Sequence, residues 1–181
     1  MSDAWPTALL VVSDRASRGE RADETAEALR PVLARHGFDL VHVRIVPDER
    51  EAIEVALEAS ARDHAVVLTT GGTGVALRDV TPEATREVLD VEVPGLGETM
   101  RARSLAKTPH ALGSRALGGF LGATLVLNLP GRPSGAIECF ELVAPALSHL
   151  IRVRRGPVAD ASHAAADQAR GQVTPPPGAA G

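Results

Sequence analysis

Cysteine occurs once in the 181 residues, tyrosine not at all, and lysine only at Lys107. The lone Cys139 rules out an intrachain disulfide and any metal site built on several thiolates. Aromatic residues make up 2% of the chain, with Trp5 the single tryptophan. A site that grips a flat ring by stacking is therefore not expected, and any heterocycle would have to be held by backbone and polar groups. The 19 basic residues are scattered, and the net charge is −4. That pattern lacks the basic face a nucleic-acid partner needs. No apolar run reaches membrane-spanning length, and the first residues lack the basic-then-apolar layout of a signal peptide. The expectation is a cytoplasmic protein with no membrane and no nucleic-acid partner.

Apolar residues are plentiful, at 44%, so the core must be built from Ala, Val, Leu and Ile. TALLVVS (7–13), HAVVLTT (64–70) and ATLVLNLP (123–130) read as strands covered on both faces, and DLVHVRIV (39–46) as a more exposed one. Helical spacing runs from about Ala22 to His36, closed by Gly37. Asp48 to Arg62 reads as a helix whose Asp48 and Glu51 form a D-x-x-E capping box. Thr81 and Pro82 read as N-cap and first residue of a helix to about Leu89. Pro94 to Ala106 forms another, and Ser134 to about Arg152 a long closing one. This alternation predicts an α/β fold, a mostly parallel central sheet with helices on both faces in three layers. Residues 1–156 form the predicted domain. Residues 157–181, rich in Ala, Pro and Gly, are expected to be a disordered tail.

Ligands in such sheets sit outside the carboxyl ends of the strands. Three of those ends carry polar chemistry: Ser13-Asp14, Thr70 to Gly74, and Asn128 to Gly131. The second, in TTGGTGVALRDVTPEAT (69–85), fails as a dinucleotide fingerprint because Leu77 stands where a third glycine is required. It also fails as a Walker loop, which ends in lysine. A turn remains whose consecutive amides can form an anion-binding concavity; a turn that merely needs positive φ angles is the plain alternative. Asp48 has an equally plain role as a helix cap, Asp79 as a turn former, and Ser13-Asp14 as an ordinary turn. Pro130 and Gly131 suit a strand-to-helix connector as well as an anion site. The six histidines show no ligand spacing, and Cys139 reads as a packed residue of the last helix.

The glycine segment resembles the signature of the molybdopterin adenylyltransferase family, the MogA and MoaB-like proteins. Five further stretches agree in order: VSDRASRGERAD (12–23), IVPDE (45–49), PGLGETMR (94–101), SRALGG (114–119) and LVLNLPGRPSGAIEC (125–139). The resemblance covers residues 7 to 155. It implies transfer of AMP from ATP to the terminal phosphate of molybdopterin, with release of pyrophosphate and use of Mg²⁺. By that resemblance Asp48 and Asp79 are catalytic and hold Mg²⁺. Gly71, Gly72, Thr73 and Gly74 cradle the nucleotide, with Arg78 as a further phosphate contact. Ser13, Asp14, Ser114, Arg115, Asn128, Pro130 and Gly131 fall on the molybdopterin side. The resemblance further implies a homotrimer and transfer of product to a molybdate-insertion enzyme. A non-catalytic molybdopterin-binding module is the alternative.

Overall fold

Alternate residues of β1 (Trp5–Val12) enter two different cores. Leu9 and Val11 pack with Leu33 of α2 (Thr25–Arg35), Met100 of α5 (Pro94–Ser104) and Phe140 of α6 (Pro133–Arg155). Ala8, Leu10 and Val12 pack with Ile53 and Leu57 of α3 (Arg50–Asp63) and Ala84 of α4 (Thr81–Val88). A strand buried on both faces needs no polar alternation, which is why its sequence reads as a continuous apolar run. The result is the expected three-layer α/β sandwich. The chain is described here from a computed structural model that covers residues 4–20 and 24–156. The start expected at Ala22 and the tail expected from 157 lie outside those residues; α2 is described from Thr25 and α6 ends at Arg155.

The sheet has six strands in the order β2-β1-β3-β6-β5-β4. Here β2 is Phe38–Val46, β3 Val66–Thr70, β4 Val91–Glu92, β5 Gly118–Leu121 and β6 Thr124–Leu129. β5 alone runs antiparallel to its neighbours, β4 and β6. Val11, Thr70 and Leu129 lie in one row across β1, β3 and β6, so the three polar strand ends emerge at one level. β1 leads to β2 on one side, whereas β3 lies on the other. The gap between β1 and β3 is the point where strand order reverses. The β4–β5 pairing was not visible in the sequence, being two and four residues long with Gly119 opposite Glu92. Among the described residues no helix is long and apolar enough to cross a membrane.

Candidate functional site

At the end of β1 the chain turns at once into a short helix, α1 (Asp14–Ser17), capped by the Ser13 hydroxyl, which accepts from Ala16 N–H at 3.2 Å. Asp14 and Asp48 are joined reciprocally. The Asp14 N–H donates to Asp48 Oδ2 at 2.7 Å, and the Asp48 N–H donates to Asp14 Oδ1 at 2.9 Å. Asp48 is therefore not the cap of α3: that helix starts at Arg50 after Glu49, and the expected D-x-x-E box does not form. Arg78 closes the cluster with a two-pronged grip on Asp14, Nη2 to Oδ2 at 2.8 Å and Nε to Oδ2 at 3.1 Å. The Arg78 hydrogen bond holds the Asp14 carboxyl below the usual range. Burial pushes Asp48 the opposite way, and the nearby Asp14 and Asp79 charges add to the rise.

The glycine loop leaves β3 with Gly71 at φ +99° and Gly72 at φ +63°. A side chain on Gly71 would collide with the Val12 carbonyl, and one on Gly72 with Thr81 Oγ1. Thr81 opens α4 but does not cap it; its hydroxyl donates to the Gly71 carbonyl at 2.9 Å and its N–H to the Gly72 carbonyl at 3.1 Å. Farther along, Asp79 Oδ2 accepts from the Ala76 N–H at 2.9 Å. The N–H groups of Gly72, Thr73, Gly74 and Val75 donate to no acceptor among the described residues. Consecutive free donors at a strand end are the groups an anion-binding concavity is built from.

Thr73, Gly74, Ser114, Pro130 and Gly131 border a cavity of about 610 Å³ between α5 and the start of α6. Ser13, Asp14, Asp48 and Arg78 lie outside that lining. Of the residues expected on the molybdopterin side, Ser13 and Asp14 are engaged in the cluster described above, and Asn128 and Arg115 are occupied otherwise. Asn128 is fully buried, and its amide donates to Thr69 Oγ1 at 3.0 Å and Thr85 Oγ1 at 2.9 Å. It does not reach the cavity, because on β6 it shares the face of Val126, toward α4. Arg115 bonds the Gly74 carbonyl at 2.6 Å, the Asp79 carbonyl and the Glu83 carboxylate. Thr81 and Glu83 were not singled out from the sequence as site residues, although both stand in the quoted VTPEAT stretch. Arg101, from PGLGETMR, also lines the cavity and donates to the Ala116 carbonyl at 2.9 Å.

Among the described residues no cluster of three or more His, Cys, Asp or Glu could cage a metal. Asp48 and Asp79 each keep one carboxylate oxygen, Oδ1, without a hydrogen bond among the described residues. That donor set fits Mg²⁺, which takes one or two carboxylates and completes its shell with phosphate oxygens and water.

A family profile described as a probable molybdopterin binding domain matches residues 8–149. The chain is 42% identical over 147 residues to molybdopterin adenylyltransferase of Helicobacter pylori, covering 79% of this chain and 84% of the relative. It is 43% identical over 151 residues to the enzyme of that name from Escherichia coli, covering 79% and 75%. Its fold is similar to the crystal structure of the molybdopterin biosynthesis enzyme MoaB from Thermus thermophilus. The TM-score is 0.79 and the identity 47%, over 86% of this chain and 99% of that one. The chain belongs to the molybdopterin-binding family that the profile describes.

Proposed function

We propose that this member of the family is a molybdopterin adenylyltransferase, joining AMP from ATP to the molybdopterin phosphate in molybdenum cofactor biosynthesis. The observation that carries the reading is the run of four free amides at the sheet's switch point, flanked by two carboxylates with free oxygens. A terminal phosphate oxygen of molybdopterin attacks the α-phosphorus of ATP; the new P–O bond forms as the α–β bond breaks, and pyrophosphate leaves with the electron pair. The attacking oxygen is already anionic, so no protein base is required. Catalysis of this kind is positioning plus charge neutralisation. The amides of residues 72–75 receive phosphate oxygens, and the cavity bordered by Ser114, Pro130 and Gly131 receives the pterin. Asp48 and Asp79 hold Mg²⁺, which when bound neutralises the triphosphate charge. Asp14 takes no part in that binding: Arg78 occupies its carboxylate, and it serves by fixing the Asp48 backbone.

Val41, Val43 and Ile45 are exposed on the edge strand β2, at 55%, 40% and 44%. An apolar row on an unpaired edge supports assembly, and a homotrimer is the assembly we propose. The use of ATP supports a cytoplasmic site, with the adenylylated pterin passed on to a molybdate-insertion enzyme. The test is incubation of the purified protein with molybdopterin, ATP and Mg²⁺, following pyrophosphate and the adenylylated pterin. Product that needs all three supports the reading. Molybdopterin binding without product would leave a non-catalytic binding module.

A further inference from the structure

We infer that Arg115 is a positioning residue of the glycine loop, one that aims the phosphate-binding amides and does not itself bind phosphate. The inference rests on the adenylyltransferase reading and assigns a role within its site. Arg115 reaches the loop three times and the helix behind it once. Its own N–H donates to the Thr73 carbonyl at 2.9 Å, and its Nε donates to the Gly74 carbonyl at 2.6 Å. Its Nη2 donates to the Asp79 carbonyl, and its Nη1 pairs with Glu83 of α4. All three guanidinium nitrogens are thus engaged with the loop or with the helix behind it.

The consequence follows from peptide geometry. In a planar trans peptide the carbonyl and the following N–H point in opposite directions. Drawing the Thr73 and Gly74 carbonyls toward Arg115 therefore turns the Gly74 and Val75 N–H groups away from it. Those are two of the four donors that find no acceptor among the described residues. Holding the Asp79 carbonyl fixes the other end of the same loop, where the Asp79 carboxylate sits. Glu83 anchors the guanidinium to α4, so the orientation is referred to a helix and not to another loop. A lysine ammonium cannot reproduce this, because its donors do not form a planar fork.

Two variants separate this role from direct phosphate binding. Arg115→Lys keeps the charge and loses the fork. Glu83→Ala keeps Arg115 and releases it from α4; alanine is a good helix former there. The probe is inorganic pyrophosphate, titrated into ¹⁵N-labelled protein while the amide resonances of residues 72–75 are followed. In the wild type those resonances shift on titration. Both variants are expected to bind pyrophosphate about tenfold more weakly or worse, the loss typical of a charge-assisted hydrogen bond. Both should also raise KM for ATP while the rest of the amide spectrum stays native. Retained affinity in Arg115→Lys would overturn the inference, because charge alone would then suffice. Equal or tighter binding in Glu83→Ala would overturn it as well, since a freed Arg115 would then be the phosphate ligand. The titration does not depend on turnover. Absence of product with the wild type would refute the enzyme reading, whereas an unresponsive or unaltered loop would refute the clasp.

Discussion

Replacing Gly72 with alanine probes the loop where it is tightest. Gly72 sits at φ +63°, a left-handed conformation that costs a residue with a side chain about 1–2 kcal/mol. The new Cβ would collide with Thr81 Oγ1 and lie 3.3 Å from Asp48 Oδ1. Thr81 cannot simply turn aside, because it is fully buried and its hydroxyl and N–H hold the Gly71 and Gly72 carbonyls. Overpacking of this kind adds about 1–3 kcal/mol. The two effects together come to about 2–5 kcal/mol, a fall in Tm of roughly 4–20 °C for a domain of this size. Thermal unfolding of Gly72→Ala, Thr81→Ala and the double variant separates them. Thr81→Ala alone loses a hydrogen bond and some packing. It also removes the atom the alanine strikes, so the double variant should fall short of additivity by about 1–3 kcal/mol, leaving the φ cost. Additive losses, or a Gly72→Ala variant within about 0.5 kcal/mol of wild type, would refute the proposed close approach.

Asp79→Asn should melt as the wild type does, since an amide oxygen can still accept the Ala76 N–H. Its adenylylation rate should drop about 100-fold or more, and near-normal turnover would remove Asp79 from the catalytic assignment. The Asp14 carboxyl is lowered in the folded state, so its contribution to stability is present above the unfolded value near pH 4 and is lost as pH falls through the folded one. Arg78→Ala removes the main cause; in urea titrations from pH 5 to pH 3, its midpoint should therefore fall less steeply than that of the wild type. Asp48 is raised and contributes with the opposite sign: stability from it is present below the unfolded value and is lost as pH rises through the folded one. Asn128→Ala should destabilise by about 2–4 kcal/mol in chemical denaturation, through two lost hydrogen bonds and a buried void. An unchanged denaturation midpoint would contradict its bridging of Thr69 and Thr85.

The three central strands were legible because burial on both faces leaves an unbroken apolar run. The β4–β5 pairing was not, because strands of two and four residues are defined by their partners and not by composition. Asp48 shows the limit of local patterns. D-x-x-E reads the same whether the aspartate caps its own helix or turns to a neighbouring loop, and only the approach of Asp14 decides. Asn128 was within reach of the sequence. It lies two residues from Val126 on a strand buried on both faces, and parity sends it toward α4 and not into the cavity. Arg115 was beyond reach, since a guanidinium that clasps two backbone carbonyl groups and a carboxylate and one that waits for a phosphate have the same sequence. Gly71 to Gly74 follow directly on β3, as the sequence reads, but the partners of Gly71, Gly72 and Asp79 were not foreseeable.

The loop's glycines have a second requirement besides conformation. Gly74 has no positive φ, so a left-handed backbone does not explain it. A Cβ there would lie 2.8 Å from Asp79 Oδ2, just as one on Gly72 would crowd Asp48 Oδ1. Each of the two carboxylates assigned to Mg²⁺ therefore rests where a side chain of the loop would otherwise be. The same two positions lie within the run of free amides. Removing Cβ at 72 and 74 brings donors for phosphate and carboxylates for a cation onto one short stretch of backbone, which larger residues would hold apart. This is why the loop can dispense with a lysine. Positive charge toward phosphate comes from backbone dipoles and, in the proposed reaction, from a cation held by Asp48 and Asp79. The arrangement requires small residues at both positions and a clasp to keep their peptides turned outward.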